Sequence, residues 1–411
     1  MTKGLKAAWL LVALAAPVAA ASAAPSQPWV EFAADSSLSV RQIVDRGAAC
    51  PRSTVDGAAV AMARRGIADD KFPIEVCEAI APLATARLAV GDRALPVVPA
   101  AARRVVVLGD TGCRLAGRAV QDCNDPVAWP FATIARRAAA RKPDLVIHVG
   151  DYYYRENTCP AGRAGCAGSP YGDNWPVWQA EFFDPAAPLL AAAPWVMVRG
   201  NHESCRRGGR GWFRLLDPRP LAGDCADMTE PYRVSAGGLN LLMFDSADAD
   251  DFKADEKKIA AYAAQFTRLL SGAPAHSWLL THRPVWAQAQ GDLGGLTTNL
   301  TQQASIRGLV PDTLDMVVAG HLHIFAGYEF GPGRPAQLIV GTGGDRLLPL
   351  AKTPIVGAEI DGMAIRKGIA FERFGYFVME RAGDGWDGVF YGVDDAVLAR
   401  CRVAGRDLDC R

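Results

Sequence analysis

Five short apolar runs, each closed by a polar motif, constrain this chain more than any other feature. The runs occupy residues 105–108, 145–149, 195–198, 278–280 and 316–319. They are rich in β-branched residues, as buried strands of a helix-covered sheet are. The motifs that end them are Gly109-Asp110-Thr111-Gly112, Gly150-Asp151-Tyr152-Tyr153-Tyr154, Gly200-Asn201-His202-Glu203, Leu279-Leu280-Thr281-His282 and Gly320-His321-Leu322-His323. Open α/β sheets carry their chemistry just beyond the carboxyl ends of strands. Two aspartates, an asparagine, a tyrosine and four histidines fall at those ends.

Helical patterns at 129–141, 178–193 and 254–271 alternate with the runs, and further strands are expected at 239–244, 338–340, 376–379 and 389–391. Such alternation predicts βαβ units within a domain spanning 101–411. Residues 24–100 show little periodicity and are expected to form a small N-terminal unit without a readable role. Within it, 55–65 reads as helix, 72–77 as strand, and Leu95-Pro96-Val97-Val98-Pro99 as an extended linker, because proline disfavours helix before it.

The start of the chain reads as a secretory leader over 1–23: Lys3 and Lys6, an apolar stretch at 7–20, then Ala21-Ser22-Ala23 as the cleavage site. The alternative is an uncleaved anchor, for which the stretch is short. This predicts an exported chain, periplasmic or secreted, without stable membrane association once cleaved. Lys plus Arg and Asp plus Glu number 44 each. That balance gives no electrostatic footprint for nucleic acid. Ten cysteines, an even number, suit an oxidising compartment. Their spacing suggests that neighbours pair: Cys50–Cys77, Cys113–Cys123, Cys159–Cys166, Cys205–Cys225 and Cys401–Cys410. Three of these pairs begin shortly after a motif and would staple loops there. The rival reading makes Cys113 or Cys205 a metal ligand, although thiolates suit softer sites.

The motif series resembles the calcineurin-like metallophosphoesterases, and within them the purple acid phosphatases, whose pattern runs GDxG, GDxxY, GNH followed by Asp or Glu, VxxH and GHxH. All five elements occur in that order from Asp110 to His323, with Leu279 where the fourth usually has Val. Asp110-Thr111-Gly112 stands where the wider superfamily has Asp-x-His. The resemblance implies a four-layer α/β/β/α sandwich, two mixed sheets flanked by helices. It also implies two metal ions bridged by Asp151, with Asp110, Tyr154 and His323 on the first and Asn201, His282 and His321 on the second. A hydroxide between two such ions would attack the phosphoryl group in line.

The spacings agree with that ligand set. His321 and His323 are two apart on one loop and are expected to reach different ions. Tyr154 lies three beyond Asp151, close enough for a phenolate to share its ion. Phenolate is a hard donor, which favours Fe(III) there; amide and imidazole favour a divalent ion, Fe, Zn or Mn, at the second position. His202 is expected in the cleft as the group that contacts phosphate or protonates the leaving oxygen. Glu203 is expected to orient that ring. Arg283 could bind phosphate or serve structure. His148 reads as a satisfied core histidine, His276 as solvated, Tyr152 and Tyr153 as packing or rim residues, and Gly341–Gly344 as a tight turn beside the site.

The function expected is an exported phosphomonoesterase acting on a small phosphorylated substrate. Two alternatives stand beside it: a phosphodiesterase on the same scaffold, and a non-catalytic metal-binding protein. The oligomeric state is not readable.

Overall fold

The computed structural model describes residues 27–117, 119–223, 225–289 and 296–411. The leader expected at 1–23 lies outside the described residues. Three of the five runs are adjacent parallel strands of one sheet: Arg104–Leu108, Leu145–His148 and Trp195–Met197. The other two, Ser277–Leu280 and Leu314–Ala319, are parallel neighbours in a second sheet. The first sheet has eleven strands and the second has seven among the described residues.

Strand alternation then decides what each side chain packs against. In Arg104–Leu108, Val105 and Val107 join the core between the sheets, where they meet Trp278, Leu280, Met316 and Val318 of the second sheet. Val106 and Leu108 point the other way, into a core shared with helix Phe131–Ala140. That helix buries Phe131, Ile134, Ala135 and Ala138, the spacing of a single helical face. On the outer face of the second sheet, Leu242, Leu279 and Val317 pack against Tyr262, Phe266 and Leu269 of helix Glu256–Leu270. Asp255 caps that helix by accepting the Lys257 and Lys258 N–H groups. The layers run helix, sheet, sheet, helix, as expected.

The expected helix at 178–193 is a continuous helical run in three parts, Trp175–Trp178, Gln179–Phe183 and Asp184–Leu190. The strands expected at 239–244, 338–340, 376–379 and 389–391 correspond to Leu239–Met243, Ala336–Val340, Gly375–Ala382 and Gly385–Gly392. Gly375–Ala382 extends the first sheet antiparallel to Arg104–Leu108.

The N-terminal segment departs from its reading as a separate unit. Trp29–Phe32 pairs in parallel with Trp195–Met197, and Leu38–Asp45 and Ile74–Ala81 continue the same eleven-stranded sheet. Glu31 hid this strand, because an acid is unexpected in a fully buried run. Its carboxylate is neutralised inside the protein by Arg41, 2.6 Å away. The 55–65 segment is not helix but a hairpin of Arg52–Val55 and Ala58–Ala61. Asp56 and Gly57 turn it with φ of 50° and 88°, the left-handed pair that a tight hairpin needs. Alanine content pointed to helix; the Asp-Gly turn prevailed. The 72–77 strand is found at Ile74–Ala81.

All five cysteine pairings form as the spacing suggested. With every cysteine paired, no thiol is left to ligate a metal. Among the described residues no helix is long and apolar enough to cross a membrane.

Candidate metal centre

Each motif places its polar residue on the first residues past a strand, where the backbone bends sharply. Asp110, Asp151 and His321 take left-handed backbone, with φ of 55°, 60° and 70°. Non-glycine residues adopt it rarely, and such outliers gather at functional sites. The motif glycines allow the loops to approach one another. A Cβ at Gly200 would lie 2.1 Å from Asp151 Oδ1, and one at Gly320 would lie 2.3 Å from Asp110 Oδ2. Neither position tolerates even alanine without moving a carboxylate.

Two groups of side chains result. Asp110, Asp151 and His323 converge in one, Asp151, His282 and His321 in the other, with ligand atoms in each within 4.8 Å of one another. Asp151 belongs to both. The Tyr154 hydroxyl completes the first group, 3.0 Å from Asp110 Oδ1, 2.8 Å from Asp151 Oδ2 and 3.0 Å from His323 Nε2. Asn201 Oδ1 stands 3.1 Å from His282 Nε2 in the second. All seven residues expected as ligands are thus brought together.

The chemistry of this donor set fits cations. Asp110, Asp151 and Tyr154 are buried side by side. Burial alone would raise Asp151, but the His282 and His202 charges hold it well below the usual carboxylate range. Burial and Asp151 together push the Tyr154 hydroxyl well above its ordinary value. His282 is pushed up to about 9, with burial opposed and outweighed by Asp151. Burial would raise Asp110 too, but His323 and His282 hold it below its ordinary value, so histidine charge stands where a bound cation would supply it.

His202 belongs to neither group. Its Nδ1 lies 2.7 Å from Glu156 Oε1, and its ring lies against Tyr154 with centroids 3.9 Å apart. It lines a cleft of about 480 Å³ together with Asp151, Asn201, His321 and His323.

Glu203 does not orient the His202 ring. Its Oε1 accepts the Tyr152 and Tyr153 N–H groups at 2.8 and 3.0 Å, and its Oε2 accepts those of Asp151 and Gly200 at 3.0 and 2.9 Å. Asn201–Glu203 is a single 3₁₀ turn. Three residues per turn set successive side chains about 120° apart, so neighbours cannot face each other. Glu203 instead locks the Asp151 loop to the Asn201 loop. Glu181, unremarked in the sequence, does the same on the other side by accepting the Cys113 and Tyr154 N–H groups at 2.6 and 3.0 Å.

Arg283 is engaged within the protein. It pairs with Asp251 and donates to His321 Nε2 at 2.8 Å. Asp251 stands 3.0 Å from the same nitrogen. Arg114 pairs with the buried Asp345 and lies over the Tyr154 ring, 4.6 Å from its centroid. Asp345 also lies 3.3 Å from His323 Nδ1. Glu156, Asp251, Asp345 and Arg114 were not singled out in the sequence: Arg114, Glu156 and Asp345 lie just past a motif and Asp251 in a loop without one, and their partners are set by the fold.

The remaining readings agree with the structure. His148 is buried, bonded to Thr111 Oγ1 at 2.9 Å and stacked on Tyr152. Tyr152 and Tyr153 pack in the core. The side chain of His276 is 76% exposed. Gly341 and Gly343 turn directly behind Asp110 and Gly109.

A helix-covered pair of sheets with paired carboxylate–histidine groups at its strand ends defines a metallohydrolase centre. The chain belongs to the calcineurin-like phosphoesterase family, whose model matches residues 103–325, and it is a metal-dependent phosphoester hydrolase. Among solved structures it is similar to a purple acid phosphatase from seeds of yellow lupin (Lupinus luteus). That match has 14% identity and a TM-score of 0.60, and covers 91% of this chain and 73% of the other. It is also similar to PhoD, at 11% identity and a TM-score of 0.54, over 93% of this chain and 91% of that one. Identities this low establish a shared fold and no more. No curated protein matches the sequence.

Proposed function

We propose that the protein is an exported phosphomonoesterase of the purple acid phosphatase type, with Fe(III) in the Tyr154 group and a divalent ion, Fe, Zn or Mn, in the Asn201 group. The observation that carries this reading is the Tyr154 hydroxyl, held within 3.0 Å of Asp110, Asp151 and His323. Asp110, Asp151, Tyr154 and His323 would hold the first ion, and Asp151, Asn201, His282 and His321 the second. Two bound ions supply charge for the phosphate oxygens and lower the pKa of water to a working range.

The chain's own groups do the rest. Asp151 is fixed from both sides: Glu203 accepts its N–H, and its Oδ1 accepts the His202 N–H at 2.8 Å. Glu156 occupies the Nδ1 side of His202. The proton that ring can give to a leaving oxygen is therefore the one on Nε2. The leader sequence and the five disulfides support export, since disulfides persist in oxidising compartments.

The test is turnover of p-nitrophenyl phosphate against its bis-ester, with metal analysis on the same sample. Faster cleavage of the monoester by protein holding two ions per chain is expected. Faster cleavage of the bis-ester would make it a phosphodiesterase, and no turnover with both ions bound would make it a metal-binding protein only.

A further inference from the structure

A cleft of about 480 Å³ is in the range that encloses a small organic molecule, not a phosphoryl group alone. Four arginines reach its wall: Arg114, Arg207, Arg283 and Arg346. Two are neutralised by carboxylates of their own, Arg114 by Asp345 and Arg283 by Asp251. Arg207 has only a share of one. It lies 3.5 Å from Glu156, whose same oxygen already faces His202 at 2.7 Å. Arg346 is exposed and pairs with no carboxylate among the described residues. Its carbonyl accepts the His323 Nδ1–H at 2.8 Å, which anchors its main chain beside the first ligand group while its guanidinium stays at the rim.

The phosphoryl group that reacts has its charge met at the floor of the cleft, by the ligand groups and whatever they bind. Arg346 and Arg207 line the same cleft without belonging to either ligand group, and both are exposed enough to meet the rest of a bound molecule. We propose that the cleft selects substrates whose leaving group carries a second anionic group, held by Arg346 with help from Arg207. This rests on the phosphomonoesterase reading above and names its substrate class. A guanidinium fork matches the paired oxygens of phosphate or carboxylate better than a point charge does. Phe252, half exposed and also lining the cleft, offers apolar surface to the carbon skeleton between the two anions.

The experiment uses metal-loaded protein with fructose 6-phosphate, fructose 1,6-bisphosphate and a phosphorylated hydroxy acid. Wild type should show a kcat/KM about tenfold higher for the bisphosphate than for the monophosphate. Arg346→Gln should lower that ratio at least about fivefold, chiefly through KM, and Arg346→Lys should restore part of it. The hydroxy acid distinguishes the source of the anion: a preference equal to the bisphosphate's assigns Arg346 to oxyanions in general, a smaller one to phosphate. Equal kcat/KM for the two sugar phosphates in wild type would overturn the proposal. So would an Arg346→Gln protein that loses activity equally on both, since that reports only long-range attraction of anions. If neither sugar phosphate is cleaved while p-nitrophenyl phosphate is, this inference fails and the phosphomonoesterase reading stands; if p-nitrophenyl phosphate is not cleaved either, both fail.

Discussion

The Tyr154 hydroxyl lies 2.8 Å from Asp151 Oδ2, inside a buried shell that also contains Asp110 and His323. A phenol can give its single proton to only one of these neighbours. Histidines meet the remaining oxygens: His282 Nε2 lies 3.1 Å from the same Asp151 oxygen and His323 Nε2 3.4 Å from Asp110 Oδ1. A cation among these oxygens would take over that neutralising role. This geometry is what supports the proposal that Tyr154 is a ligand.

Asp151 is the single residue that both ligand groups share. Asp151→Asn keeps the side chain's shape but removes the charge seen by both positions. Turnover should fall by on the order of a thousandfold or more, at the upper end of what one lost electrostatic contact costs an active site. Metal content measured on the same preparation should fall as well. A variant that kept two ions and more than about a tenth of wild-type kcat would show that Asp151 does not bridge.

On the proposed reading His202, with Glu156 2.7 Å from its Nδ1, protonates the leaving group. His202→Ala should reduce kcat by about a hundredfold with phenyl phosphate, within the usual range for lost acid assistance. The loss should be several times smaller with p-nitrophenyl phosphate, whose leaving oxygen needs less protonation. Glu156→Gln should show the same leaving-group dependence with a loss of roughly tenfold, typical of a partner that orients a working histidine. Metal content should stay near wild type in both. Losses independent of the leaving group would assign the pair to phosphate positioning.

Six of the ligand candidates, Asp110, Asp151, Asn201, His282, His321 and His323, were legible because a strand end fixes a position in space. Once the apolar runs are placed side by side, whatever follows them must converge. The fold of 104–319 was legible for the same reason. Asp345 was not: the glycine turn before it was placed beside the site, but its partner Arg114 lies 231 residues away in sequence. Glu156 and Asp251 are of the same kind. Glu203 was found but given the wrong task, because adjacency in sequence suggested contact that a 3₁₀ turn forbids. Of the N-terminal strands in the large sheet the one at 72–77 was legible, whereas Trp29–Phe32 and Leu38–Asp45 were missed because Glu31 and Arg41 satisfy each other only after the sheet has formed.

His148 gives the core a dependence on pH. Burial holds it down to about 3, from an ordinary value of 6.5, and Nδ1 accepts the Gly150 N–H, so the ring is neutral in the folded protein. As pH falls below about 6.5 the unfolded chain takes up a proton that the folded chain refuses. The contribution is therefore complete above that value and is lost progressively down to about 3, amounting to about 3 kcal/mol at pH 4. Urea unfolding of wild type and His148→Gln at pH 7 and pH 4 isolates it. The variant should lose less stability between those two conditions by about that amount; identical losses would mean that His148 is protonated in the folded state.

The account turns on Tyr154 as a metal ligand, and visible absorption of the iron-loaded protein tests this most directly. Protein reconstituted with iron under air should be violet, because a phenolate on Fe(III) transfers charge to the metal in the visible range. Tyr154→Phe should abolish the band, whereas Tyr153→Phe should leave it in place, since Tyr153 packs against Trp178 away from the ligand groups. The account predicts a band that vanishes with the Tyr154 hydroxyl alone. An unchanged band in Tyr154→Phe protein would contradict it.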